Sequence, residues 1–111
     1  MEAVNFPDIL NKLKTAILNL AQATLSNYVK SARKDAQALV NAMKVKLEKW
    51  TDLLASGALS TEDFEWLVYS QKDLVEMTAL KEAGLAEIRI DQFRGSVINL
   101  IIDTVFSMVK V

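Results

Sequence analysis

An eleven-residue repeat of apolar positions runs through the first half of the chain and restricts its fold more than any other feature. The two clearest rows of the repeat are Leu10, Ala21, Ala32, Met43 and Leu54, and Ile17, Tyr28, Leu39 and Trp50. Eleven residues in three turns is about 3.67 residues per turn, close to the natural period of an α-helix. The repeat predicts one nearly straight helix from about residue 6 to 56, roughly 75 Å long at 1.5 Å per residue.

Residues that start and stop helices mark both ends of this predicted helix. Asn5 is suited to cap its beginning, and Gly57 to end it in a left-handed conformation. A second start follows at once, because the Ser60 hydroxyl can accept the backbone N–H of Asp63. The sequence therefore predicts a loop over 57–60 and a new helix directly after it.

The same repeat resumes after Ser60. Its rows are Phe64, Val75, Ala86, Val97 and Met108, and Val68, Ala79, Ile90 and Ile101. Because both rows pass Gly84 in phase, they predict one continuous helix over about 61–110, either straight or kinked near Gly84. The alternative is a break at Gly84, since Leu80 and Leu85 have the spacing of the apolar pair in a glycine-terminated helix stop.

Two helices of similar length joined by a short loop predict a single all-α domain over 1–111, folded as a long antiparallel helical hairpin. The chain has only three glycines and one proline in 111 residues, which disfavours a β-fold rich in turns. The loop sets a register in which residue x lies near residue 115 − x. We expect two or more such hairpins to assemble into a four-helix bundle or a larger helical oligomer.

The apolar content exceeds what one hairpin can cover. Hydrophobic residues make up 51% of the chain and its mean hydropathy is +0.17. Small domains have too much surface to hide that much apolar material alone. We therefore expect self-association, as a homodimer or homotetramer. The contact is predicted at the open end of the hairpin, where the first helix begins and the second ends, and at two aromatic residues that lie off the apolar rows. The residues predicted to form this contact are Leu10, Ile17, Trp66, Tyr69, Val97, Ile101, Val105 and Met108.

Two other partners are alternatives for the same apolar end of the hairpin. One is an unrelated protein, and the other is a membrane surface met by an amphipathic helix. A helix that lies in a membrane interface usually has a broad basic polar face. The polar stripe of the C-terminal segment instead contains Asp103, which we expect to face outward, and a single lysine.

Charge is divided unevenly along the chain. Residues 1–57 contain eight basic and five acidic residues, a net charge of +3, whereas residues 58–111 contain five and nine, a net charge of −4. Opposite charges suit two elements that pair with each other. The predicted register brings Lys30, Arg33 and Lys34 near Glu82 and Glu87.

The residue types argue against catalysis and against metal or cofactor binding. Without His or Cys, the usual zinc and iron ligand sets are missing. Two carboxylate pairs share helix faces, Asp73 with Glu76 and Glu87 with Asp91, and we interpret both as solvated acidic surface. No phosphate-binding loop or nucleophile motif is present. We therefore expect a protein that is not an enzyme and that has no catalytic residue, cofactor or metal.

Two further expectations concern partners and location. The basic residues lie beside an acidic second half, so no uncompensated basic face is expected for nucleic acid. The N-terminus lacks the basic and apolar segments of a signal peptide, no long uncharged apolar stretch occurs, and cysteine is missing. These features predict a cytoplasmic protein.

Overall fold

The computed structural model describes residues 5–109, which form only helices, turns and loops. The prediction of an all-α fold is thus confirmed. The five α-helices are α1 (Phe6–Thr24), α2 (Val29–Ala55), α3 (Thr61–Tyr69), α4 (Thr78–Glu82) and α5 (Glu87–Met108), with a short 3₁₀ turn, Ser26–Tyr28, between the first two. The longest dimension is 46 Å. That length has no room for the predicted helix of roughly 75 Å.

The predicted helix over about 6–56 is wrong because the chain turns back at Leu25. This residue has φ −135° and ψ 54°, outside the helical region, and separates α1 from α2. The residues around it oppose helix, since Ser and Thr hydroxyls compete for backbone groups. Thr24, for example, donates its hydroxyl to the Leu20 carbonyl at 2.7 Å. The apolar repeat continues through the turn, which is why periodicity alone does not reveal it.

The predicted continuous helix over about 61–110 is also wrong. Helix α3 ends at Tyr69, and a loop leads to the short α4. Helix α4 then ends at Glu82, and Gly84 follows two residues later with a left-handed φ of +93°. The Leu85 N–H bonds the Leu80 carbonyl at 3.1 Å, as in the alternative that placed a glycine-terminated stop here. That alternative is confirmed, and α5 continues through Gly95 without a break.

The predicted helix starts near residues 6 and 61 and the predicted end near residue 56 are confirmed, while the predicted end at residue 110 lies outside the described residues. The Asn5 side chain accepts the N–H of Asp8 at 3.3 Å, and the Ser60 hydroxyl accepts that of Asp63 at 3.0 Å. Gly57 has φ +81° and follows the end of α2. Residues that are close in sequence to a helix end thus mark the start of α1 and the two helix ends that flank the loop over 57–60.

Helix α1 takes the place that the hairpin prediction left for a second chain. It packs against both α2 and α5, while α2 also contacts α3 and α4. One core contains buried residues of all five helices. The predicted register is met where Asp35 of α2 binds the backbone N–H groups of Ala79 and Leu80. The long hairpin is therefore replaced by a bundle in which α1 covers the apolar side of α5.

Candidate interaction surface

Four residues of the predicted contact lie inside the chain's own core. Ile17, Val97, Ile101 and Val105 are at most 1% exposed. Their part of the prediction is corrected, because the chain's own residues cover these four side chains almost completely. The error follows from the turn at Leu25, which brings α1 against α5 and closes the end that a straight hairpin would leave open.

The other four predicted contact residues reach the surface to different degrees. Leu10 is half-buried, and Met108 is 36% exposed. Tyr69 is 46% exposed and Trp66 is 73% exposed, among the highest values for a large apolar side chain in residues 5–109. The two aromatic residues set off from the apolar rows are therefore the ones that the fold leaves accessible.

Helix α3 presents these aromatic residues because its two faces differ sharply. Phe64 and Val68, four residues apart, are fully buried, and the Phe64 ring lies 5.6 Å from that of Phe106 on α5. The opposite face has Glu62, Trp66 and Tyr69 at helical spacing, all of them exposed. Helix α3 is thus fixed on one side and displays an acidic and aromatic face on the other.

A hydrogen bond ties this face to α5. The Tyr69 hydroxyl donates to the Asn99 side-chain oxygen. Asp103, one turn further along α5, is exposed, as the sequence predicted. The contacts Tyr69–Asn99 and Phe64–Phe106 set an antiparallel register that brings Asp103 level with Trp66. The residues of this region, together called the α3 surface, are Glu62, Glu65, Trp66, Tyr69, Asn99 and Asp103.

A groove between α1 and α2 is the second feature capable of binding. Its volume is about 330 Å³. It lies between residues 7–17 of α1 and residues 37–44 of α2, two helices that pack against each other. The residues that line it, together called the α1–α2 groove, are Pro7, Leu10, Asn11, Leu13, Lys14, Ile17, Gln37, Val40, Asn41 and Lys44. Apolar side chains are thus combined with two lysines and three amides.

The ion pairs within residues 5–109 do not join the two halves of the chain. Lys72 and Arg94 both bind Asp91, at 3.5 and 3.3 Å, and Lys81 binds Glu87 at 3.2 Å. All of these residues belong to the acidic second half. The predicted pairing of the basic cluster at residues 30–34 with Glu82 and Glu87 is therefore not formed. The ion pairs therefore do not neutralise the net positive charge of α1 and α2 or the net negative charge of α3.

Asp35 is a buried carboxylate, but its role is to build the fold. Its two oxygens accept the N–H groups of Ala79, at 3.1 Å, and Leu80, at 2.7 Å. These are two of the free N–H groups in the first turn of α4, and the residue before that helix, Met77, has no capping side chain and is left-handed with φ 58°. A carboxylate from α2 thus caps α4, with each of its two oxygens accepting one backbone N–H group.

The two carboxylate pairs that the sequence analysis interpreted as solvated acidic surface are exposed. Glu87 and Asp91 each face a cation, Lys81 and Lys72 respectively, and not each other. Asp73 and Glu76 are both exposed. Within 5–109, no three His, Cys, Asp or Glu residues are grouped as metal ligands.

Comparisons with known proteins add no relative: no family model, no curated protein and no solved structure matches the chain. Within the described range, none of the helices has the length and apolar character needed to span a bilayer. The arguments about function therefore come from the surfaces themselves.

Proposed function

We propose that this chain is a non-enzymatic protein-interaction module that self-associates through the α3 surface. The observation that carries the proposal is that Trp66, 73% exposed, and Tyr69, 46% exposed, lie on one face of α3 while its opposite face is buried. Tryptophan and tyrosine are the residues most often found at the energetic centres of protein interfaces. Each has a large apolar area and few rotatable bonds, so it loses little conformational entropy on binding.

The form of the α3 surface supports a binding role. Tyr69 is held by its hydrogen bond to Asn99, which orients the ring before any partner arrives. Such pre-organisation lowers the entropic cost of association. Helix α3 has only nine residues, about 14 Å at 1.5 Å per residue, so the contact is small. Small interfaces are typical of weak, transient association, which we expect in the micromolar range.

Membrane association, the alternative raised by the apolar C-terminal segment, loses its main support. The apolar side of α5 faces α1 and the core, not solvent. The exposed aromatic residues lie beside Glu62 and Glu65, and carboxylates are repelled by the anionic lipids that attract peripheral proteins. We expect the protein not to float with vesicles of mixed zwitterionic and anionic lipid.

Sedimentation velocity over concentrations from about 5 to about 500 μM tests the proposal directly. Wild-type protein is expected to shift reversibly from monomer toward larger species as concentration rises. Trp66→Ala should remain monomeric over the range. The matched control is Ile88→Ala, because Ile88 is 70% exposed but lies on α5 outside the α3 surface.

Two results would overturn the proposal. A wild-type protein that stays monomeric at the highest concentration has no self-association to explain. If Ile88→Ala weakens association as strongly as Trp66→Ala does, the contact does not depend specifically on the α3 surface.

A further inference from the structure

We infer that the α3 surface of one copy docks into the α1–α2 groove of a second copy. The inference rests on the proposed self-association and names the site on the partner molecule. Such docking requires that the groove match the α3 surface in apolar character, size and charge. It also requires that the groove and the α3 surface lie on different parts of the molecule.

Apolarity and size agree. The exposed Pro7 and the half-buried Leu10 line the groove above the buried Leu13 and Val40, so an aromatic ring entering it exchanges water for apolar contacts with the first two. Its volume of about 330 Å³ is at the lower end of ligand-binding pockets. A groove of this size suits a single large side chain such as the indole of Trp66.

Charge agrees as well. Lys14 and Lys44 are exposed where they line the groove, and the α3 surface has Glu62 and Glu65 on α3 and Asp103 on α5. Helix α3 has three acidic residues and no basic one. The ion pairs among residues 5–109 lie within the second half of the chain and do not neutralise this difference. Complementary charges at an interface fix its orientation and speed encounter.

The two sites lie on different elements, which determines the kind of assembly. The lining of the groove comes from α1 and α2 and contains no residue of α3. A contact between two different patches is head-to-tail, and after the first contact the dimer keeps one free α3 surface on one copy and one free groove on the other. Such association continues beyond the dimer into short chains or a closed ring, whereas a contact of the α3 surface with itself would stop at two.

A mixing experiment separates these cases. Trp66→Ala has an intact groove and a defective α3 surface. The double variant Lys14→Glu/Lys44→Glu has the reverse, and it should still fold because both lysines are exposed. Each variant alone is expected to lose self-association, with Kd raised roughly 30-fold or more. A 1:1 mixture should form a heterodimer that grows no further, because each copy then offers a single working patch.

The control is Lys30→Glu/Lys34→Glu, which changes charge equally on exposed residues of α2 that do not line the groove. It should associate within about threefold of wild type. Circular dichroism checks that every variant is folded.

The outcomes distinguish the inference from the proposal on which it rests. If Lys14→Glu/Lys44→Glu associates like wild type while Trp66→Ala does not, the groove is not the receptor and self-association through the α3 surface stands. A mixture that stays monomeric also overturns the head-to-tail contact. If wild-type protein does not associate at any concentration, the proposed function and this inference fall together.

Discussion

The inner side of α5 and the outer face of α3 both contain large apolar side chains, but the first is buried and the second is exposed. Ile101 on α5 is fully buried, because α1 turns back at Leu25 and covers that helix. Trp66 on α3 is exposed, because the helix uses Phe64 and Val68 for its packing and turns its other face to solvent. The comparison shows that apolar content along a segment does not locate an interface. The position of the turns decides which apolar residues the chain covers by itself.

The largest expected effect contrasts two isoleucines on α5. Ile101→Ala removes a fully buried side chain and should lower the free energy of unfolding by about 2–5 kcal/mol. Ile88→Ala, at a site 70% exposed, should change it by less than about 0.5 kcal/mol. Urea denaturation of dilute protein measures both. If Ile101→Ala left the monomer as stable as wild type while weakening association, Ile101 would be an interface residue after all.

Helix boundaries with local chemistry were predictable, and the turn at Leu25 was not. Asn5, Gly57 and Ser60 act through residues next to them in sequence, so they are visible in one chain without its structure. At Leu25 there is no glycine or proline, and the apolar repeat continues in phase. The cluster of Thr24, Ser26 and Asn27 was the available signal, but it is weak because helices tolerate such residues singly.

The next effect concerns the cap that holds α4 and the loop after α3 in place. Asp35→Ala leaves the N–H groups of Ala79 and Leu80 without their acceptors, which should cost about 1–3 kcal/mol. Hydrogen exchange should accelerate most at these two amides. Asp52→Ala is the control, because Asp52 is an exposed acid of the same helix. Equal exchange in the two variants would show that α4 does not depend on the Asp35 carboxylate.

This cap explains why the second half could not be predicted in detail. The residue that caps α4 is 44 positions away from Ala79 in sequence, so no local pattern around Thr78 indicates a helix start. The exposed state of Trp66 and Tyr69 could be predicted, because both lie off the apolar rows. The α1–α2 groove could not, since it exists only after α1 folds back on α2.

The smallest effects should have opposite signs at two glycines. Gly84→Ala forces a side chain into a left-handed conformation at φ +93° and should destabilise the protein by about 1–2 kcal/mol. Gly95→Ala lies within α5 with no atom within 4 Å of the added methyl group, and should stabilise it by about 0.5–1 kcal/mol. Thermal unfolding measures both. Stabilisation by both substitutions would indicate a helix that continues through Gly84, without the break that separates α4 from α5.

The most direct measurement of where two copies meet is the fluorescence of Trp66. The chain has two tryptophans, so Trp50→Phe leaves Trp66 as the single tryptophan, whose emission is excited selectively at wavelengths that the tyrosines do not absorb. If the α3 surface is the contact, its emission shifts to shorter wavelength as concentration rises, in parallel with the increase in mass measured by light scattering. If the mass rises while Trp66 keeps the emission of an indole in water, copies meet elsewhere and the assignment of the α3 surface is wrong.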